Sequence, residues 1–306
     1  MSWIELRVTT TAGYADSLGD QLVLLGAKAV TFQDAGDQPI YEPDPRATAF
    51  WQDTIVVGLF EDSLKPQPLL AYMEDQKALG LVRHAALSDL PDQDWERICL
   101  DAFKPMQFGK RLWICPSWHK PPDATAVNVM LDPGLAFGTG THSTTALCLE
   151  WLEEHIQGAP LVMDYGCGSG ILGLSALKLG ATSVIAVDND PQALEATLKN
   201  SQRNPDVASR LQTYLPDDPH GLDVSVDVLI ANILAGPLIE LAPRFAALTH
   251  AGSDLLLSGI LPEQAEGVME AYAPWFDFKK PVIQKNEWVR LEGTRKKDPL
   301  PAQNKL

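Results

Sequence analysis

Apolar and polar positions alternate with two different rhythms along this chain. Trp3-Ile-Glu-Leu-Arg-Val-Thr-Thr10 alternates residue by residue, the period of a half-buried strand. Tyr14–Leu25 changes to helical spacing and stops at Gly26, and Ala27–Gln33 returns to a strand. A loop rich in Asp and Pro follows, Asp34–Arg46. Then come a strand at Thr54–Phe60, a helix at Pro66–Leu79 and a strand at Leu81–Leu87. The order is βαββαβ over residues 1–90, which predicts a small α+β domain of ferredoxin-like type.

The later chain reads as strands alternating with helices, the signature of a mostly parallel sheet. Strands are predicted at Val127–Leu131, Pro160–Met163, Ser183–Val187, Leu211–Leu215, Asp227–Asn232 and Asp254–Ser258, with two late ones at Val282–Gln284 and Trp288–Leu291. Helices are predicted at Ala146–Ile156, Ile171–Leu179, Pro191–Arg203, Pro237–Leu248 and Pro262–Ala273. Between the two rhythms, Pro91–Phe103 reads as a short helix opened by Asp92 and Asp94. Residues 91–115 are assigned to a linker, 116–295 to the second domain and 296–306 to a frayed polar tail. Met106, Phe108, Trp113 and Trp118 are read as packing the linker onto the second domain rather than binding a ligand.

Composition narrows the class. A chain of 306 residues makes about two domains, and 45% hydrophobic with 21% charged residues allows a sizeable core. No apolar run approaches about 18 residues and no basic-then-apolar leader opens the chain, so a membrane span is not expected. Cys99, Cys115, Cys148 and Cys167 form no C-x-x-C pair; they are read as reduced, which suits the cytoplasm and argues against zinc or another structural metal. The net charge of −16 repels nucleic acid backbones and attracts basic partners, so a basic protein substrate fits better than DNA.

Candidate chemistry centres on Val162-Met-Asp-Tyr-Gly-Cys-Gly-Ser-Gly170. An apolar strand leads in, a helix leads out, and three glycines at every second position join them. Such a joint lets backbone N–H groups approach a ligand at the positive end of a helix. The next strand ends in Asp188, at the spacing of a carboxylate that grips ribose hydroxyls. A dinucleotide fingerprint read from Gly166 requires glycine at position 171, where Ile171 stands. The pattern is instead D-x-G-x-G-x-G from Asp164.

A second unusual loop, Asp132-Pro-Gly-Leu-Ala-Phe-Gly-Thr-Gly-Thr-His-Ser-Thr-Thr145, runs into a helix start and predicts another ligand pocket. His142 lies in it without an evident carboxylate partner; a lone loop histidine is more often structural than catalytic. Asn232 ends a buried strand, where the crevice of an open α/β sheet lies, and can also serve as a helix N-cap.

Leu131–His142, Asp164–Ile171 and Asn232-Ile-Leu-Ala-Gly-Pro237 together closely resemble the methyltransferases of ribosomal protein L-eleven, a family of class I S-adenosylmethionine-dependent enzymes. The resemblance extends over the whole chain, apart from a tail past Thr294 that carries no matching motif. It implies a Rossmann-like catalytic domain with a seven-stranded, mostly parallel sheet, and an N-terminal domain that recognises the substrate. It also implies S-adenosylmethionine as cofactor and multiple methylation of lysine ε-amines and the N-terminal α-amine. By that resemblance Thr145, Gly166, Asp188 and Asn232 contact the cofactor, joined by Asp164 and Gly168. Phe137, Gly138, Thr139 and Gly140 roof the pocket. Asn232 and His142 are the candidates for positioning or proton handling at the acceptor.

Methyltransferases that act on amide or base nitrogens resemble one another in an Asn/Asp-Pro-Pro-Tyr turn. This chain has Asn232-Ile233-Leu234, without the prolines or the aromatic ring, which argues against glutamine or adenine as acceptor. Two other readings stand beside the protein methyltransferase: a small-molecule methyltransferase whose N-terminal domain only lids the pocket, and a non-catalytic cofactor-binding protein.

Overall fold

The structure is a computed structural model, and it describes residues 3–36, 38, 40, 50–63, 66–90, 103–133, 138, 140–218, 223–280 and 282–297. The chain divides into two compact units, residues 1–99 and 100–306. No helix among the described residues is long and apolar enough to cross a membrane.

In the first unit β1 (Trp3–Thr11), α1 (Ala12–Leu24), β2 (Ala29–Asp34), β3 (Asp53–Glu61), α2 (Pro66–Ala78) and β4 (Val82–Leu90) follow one another. The four strands pair antiparallel in the order β2-β3-β1-β4. The alternation read in β1 has its physical cause here. Ile4, Leu6 and Val8 point to one face and meet Leu18 and Leu22 of α1 and Leu69 and Met73 of α2, while the residues between them stay half-exposed.

The second unit begins earlier than the sequence indicates. Residues 91–102, including the predicted short helix, lie outside the described residues. Met106–Phe108 (β5) and Leu112–Cys115 (β6), assigned above to the linker, are strands; β6 pairs with β5 and with β7 (Val127–Met130) in a three-stranded sheet. Burial drives this: Phe108, Leu112 and Ile114 join Val129 in the main core. The aromatic packing predicted for this stretch therefore holds for Phe108, whereas Trp118 stays 38% exposed.

The larger sheet is built from β8 (Leu161–Tyr165), β9 (Ser183–Val187), β10 (Leu211–Tyr214), β11 (Val226–Asn232), β12 (Thr249–Ile260), β13 (Phe276–Phe278), β14 (Ile283–Lys285) and β15 (Trp288–Arg295). Its order is β10-β9-β8-β11-β12-β15-β13, the seven-stranded sheet expected, with β14 added against β15. The first five strands of that order run parallel, and β15 is antiparallel to its neighbours. The three-residue β13 escaped the sequence reading. At the other end, Lys296 is not frayed, since its backbone N–H donates to Trp275 O at 2.8 Å.

Each central strand is apolar on both faces. Val162, Val184, Val228 and Leu256 face one core, shared with α3 (Ser143–His155) and α4 (Ile171–Leu179). Met163, Ile185, Leu229 and Leu255 face the other, shared with α6 (Ala235–Ala247) and α7 (Ala265–Tyr272). Covering a parallel sheet on both faces is what makes its strands read as continuous apolar runs. The remaining helix, α5 (Pro191–Gln202), starts at Asp190, whose carboxylate accepts the Gln192 N–H at 2.8 Å, with Pro191 in the first turn.

Candidate active site

Gly166, Asp188 and Asn232 stand at the carboxyl ends of β8, β9 and β11, three neighbouring parallel strands. This is where an open α/β sheet presents its ligand crevice. The turn after β8 requires glycine: Gly166, Gly168 and Gly170 have φ of 79°, 54° and 80°. Gly166 and Gly168 are half-buried, while Cys167 and Ser169, each following one of them, are buried. The Gly166 and Cys167 N–H groups both donate to Val187 O, at 2.7 and 3.0 Å. Asp188 Oδ2 accepts from Gly168 N at 2.9 Å, and Oδ1 accepts from Asp190 N at 3.0 Å. The carboxylate is thus oriented by two backbone donors, and its remaining lone pairs can still accept hydroxyls.

Asp164 has a partner inside the fold. It is 1% exposed, and Oδ2 accepts the Gly173 N–H in the first turn of α4 at 2.8 Å. The helix begins at Gly170, which has no side chain to cap it, so Asp164 supplies the cap from the preceding strand. The cofactor contact implied for Asp164 thus meets a carboxyl turned to its own helix, with no open surface. Oδ1 is buried without a hydrogen-bond partner. Burial, with a smaller contribution from the Asp188 charge, pushes its pKa up to about 7.

His142 is exposed and serves as the N-cap of α3. Its Nδ1 lies 2.7 Å from Thr144 Oγ1 and accepts from Thr144 N at 3.4 Å, and its ring meets Trp288 edge-on at 5.0 Å. The structural role the sequence favours for it is realised. Thr145, 2% exposed in the first turn of the same helix, receives a long hydrogen bond from Asn232 Nδ2 at 3.4 Å. Asn232 is therefore tied across the crevice rather than capping α6, whose N-cap is Leu234.

Of the glycine-rich loop, Phe137 and Thr139 lie outside the described residues. Gly138 and Gly140 adopt φ of 92° and 90°. Ser169 Oγ donates to Gly138 O, which joins this loop to the turn after β8. A Cβ on Gly140 would press to 3.1 Å from Met106 Cε and 3.2 Å from Ile171 Cδ1.

Sequence reasoning missed the residues that hold these two loops together. Asn200 Nδ2 donates to Ser169 O at 2.9 Å, and its Oδ1 accepts from Asp132 N at 3.2 Å. Asn204 exchanges a pair of bonds with the Met130 backbone, at 2.9 and 2.8 Å. Arg203 Nε donates to Asp132 Oδ2 at 2.6 Å. Asn200 and Asn204 are 4% and 1% exposed. Asn200 on the inward face of a helix that also carries Thr197 and Ser201, with Asn204 just past that helix, was the available signal.

The sequence family described as "Ribosomal protein L11 methyltransferase (PrmA)" matches residues 2–296. A protein of that name from Marinobacter nauticus is 53% identical over 300 residues, spanning 97% of this chain and 99% of its own. Another from Klebsiella pneumoniae is 51% identical over 296 residues, spanning 96% of this chain and 100% of its own. Among solved structures, the crystal structure of a ribosomal protein L11 methylase from Lactobacillus delbrueckii subsp. bulgaricus superposes with a TM-score of 0.56 at 30% identity. That match covers 63% of this chain and 100% of the other.

Proposed function

The chain belongs to the ribosomal protein L11 methyltransferase family, and from that premise we propose how its own residues carry out the transfer. The enzyme is S-adenosylmethionine-dependent and methylates ribosomal protein L11; the acceptors are lysine ε-amines and the N-terminal α-amine. One observation carries the site assignment: Gly166, Asp188 and Asn232 end three adjacent parallel strands, and two of them are held by hydrogen bonds, Asp188 to Gly168 and Asn232 to Thr145.

S-adenosylmethionine, when bound, supplies a methyl group on a positively charged sulfonium. Its transfer to an amine nitrogen, with the carbon–sulfur bond broken and the thioether leaving, calls for alignment and for exclusion of water. Gly166 and Gly168 would let the backbone come close to the cofactor, and Asp188 would accept the ribose hydroxyls. Thr145 and Asn232 would stand on the side of the methyl group. Asn232 spends its Nδ2 on Thr145, which leaves the side-chain oxygen to accept an N–H from the incoming amine. Ile233 and Leu234 follow it and make the mouth apolar. Desolvation there lowers the pKa of a lysine, ordinarily about 10.4, toward the neutral form that can attack.

The first unit recognises the substrate, since every glycine turn and strand-end group assigned to the cofactor lies in the second. A net charge of −16 favours a basic protein over a nucleic acid. A ribosomal protein as acceptor supports a cytoplasmic reaction. The test is incubation with methyl-labelled cofactor and total ribosomal protein. One labelled band, at L11, is expected, and it should be lost with Asn232→Ala. Label spread over many proteins, or an Asn232→Ala enzyme as fast as the wild type, would refute the assignment.

A further inference from the structure

Ile233 follows Asn232 at the end of β11 and is held from two sides. Its side chain lies over Gly166, where an added Cβ would collide with Ile233 Cγ2. Its peptide lies against Gly259 of β12, where an added Cβ would collide with Ile233 O. That Cβ would also come within 2.8 Å of the Ile233 carbonyl carbon and 3.2 Å of its nitrogen. Both glycines have left-handed φ, 79° and 85°.

The local geometry of β12 accounts for the second contact. Asn232 is in register with Ser258, so Gly259 is the first residue of β12 beyond the shared ladder. At the same place the β12–β15 pairing shifts register, between Leu257 and Ile260. At this irregularity the β12 backbone lies against Ile233, and the missing Cβ leaves the space that its carbonyl occupies. Two absent side chains thus shape one slot. Ile233 is half-buried, and contact on its side chain at Gly166 and on its backbone at Gly259 limits its freedom to shift.

We propose that Ile233 is a positioning residue for methyl transfer. Its Cγ2 seated on Gly166 and its peptide seated on Gly259 set the height of Asn232 above the glycine turn, and so the gap between methyl donor and acceptor nitrogen. The inference rests on the reading of Gly166 as the donor side and Asn232 as the acceptor side. Rates of displacement depend steeply on that gap.

Branching at Cβ makes the proposal testable. Valine keeps both γ carbons and loses only Cδ1, leucine moves the branch one carbon outward, and alanine removes the contact. For each variant the single-turnover rate is measured with saturating cofactor and L11. The cofactor Kd, the thermal midpoint and the distribution of mono-, di- and trimethylated amines are measured with it. Ile233→Leu and Ile233→Ala are expected to slow the transfer by roughly 10–100-fold and to shift products toward fewer methyl groups, with Kd within about 2-fold of the wild type. Ile233→Val should restore the rate to within about 3-fold. A leucine variant with wild-type rate and products overturns the proposal, as does a loss that follows Kd or the thermal midpoint across the series. Asn232→Ala serves as reference. If it too is as fast as the wild type, the reading of the site fails; if it is slow while Ile233→Leu is not, the positioning role alone fails.

Discussion

Asp188 Oδ2 accepts the backbone N–H of Gly168 at 2.9 Å, so the acid that ends β9 fixes the middle of the glycine turn that ends β8. One side chain thereby shapes the turn and, in the proposed site, grips the ribose. Asp188→Ala removes both actions and is expected to cost stability as well as affinity. Asp188→Asn is the cleaner variant, because one oxygen remains to accept from Gly168. It should weaken S-adenosylmethionine binding by about 1.5–3 kcal/mol, the usual worth of hydrogen bonds to a charged group. Calorimetry on the folded variant checks this, and wild-type affinity would take Asp188 out of the site.

Much of this rim was legible in the sequence. The α4 and β9 boundaries agree residue for residue with the pattern, because an apolar run closed by Gly180 and a strand closed by Asp188 are local signals. The spacing of the glycines announced a joint where the backbone comes close to a ligand, and all three have left-handed φ. What stayed hidden depends on tertiary partners. β5 and β6 are short and sit among prolines and aromatics, and only pairing with β7 makes them strands. The cap that Asp164 gives α4, the bridges of Asn200 and the seat of Ile233 on Gly259 all join residues far apart in the chain.

Asp164 predicts a pH dependence of stability. Its pKa is raised from 3.8 to about 7 in the folded protein, chiefly by burial. The folded state therefore holds this proton more tightly than the unfolded chain. The stability it contributes is fully present below pH 3.8 and is lost as pH rises through about 7. Asp164→Asn keeps an acceptor for Gly173 and never ionises. The thermal midpoint of the variant relative to the wild type should rise steadily from about pH 5 to about pH 8. A pH-independent difference would show that Asp164 does not titrate in that range.

Asn200 links Asp132 to Ser169, and so joins the two loops that frame the crevice. Asn200→Ala leaves a buried donor and acceptor unpaired, and should cost about 1–3 kcal/mol of stability along with weaker cofactor binding. Asn200→Asp keeps the acceptor for Asp132 N and loses the donor to Ser169 O, so it separates the two ends. Thermal midpoints and cofactor affinities measured side by side decide between them. Unchanged affinity in Asn200→Ala would mean that the loops hold their shape without it.

The acceptor amine must be neutral to attack, so the chemical step should quicken as pH rises from about 7 to about 9. Single-turnover rates with cofactor and L11 prebound isolate that step from binding and release. A flat profile would mean that the protein removes the proton before the step, by a group already ionised at neutrality.

Cofactor binding and substrate recognition are expected to divide between the two units. The first has its own core, in which Leu6, Val8, Leu18, Phe60 and Met73 are buried together. The second has two cores of its own, one on each face of the large sheet, and all the proposed cofactor contacts. A chain that begins at Leu100 keeps β5, β6 and β7, which contribute Phe108, Leu112, Ile114 and Val129 to one of those cores. It should fold and bind S-adenosylmethionine with near-normal affinity. If the first unit is the docking unit proposed, its removal costs the amines of L11 the high effective concentration that a tethered substrate enjoys. Methylation of L11 should then fall sharply, while a short lysine peptide at high concentration is still modified slowly. Cofactor titration confirms folding, and mass spectrometry of L11 reads the outcome. Methylation of L11 at the full-length rate by the shortened chain would show that recognition lies in the second unit.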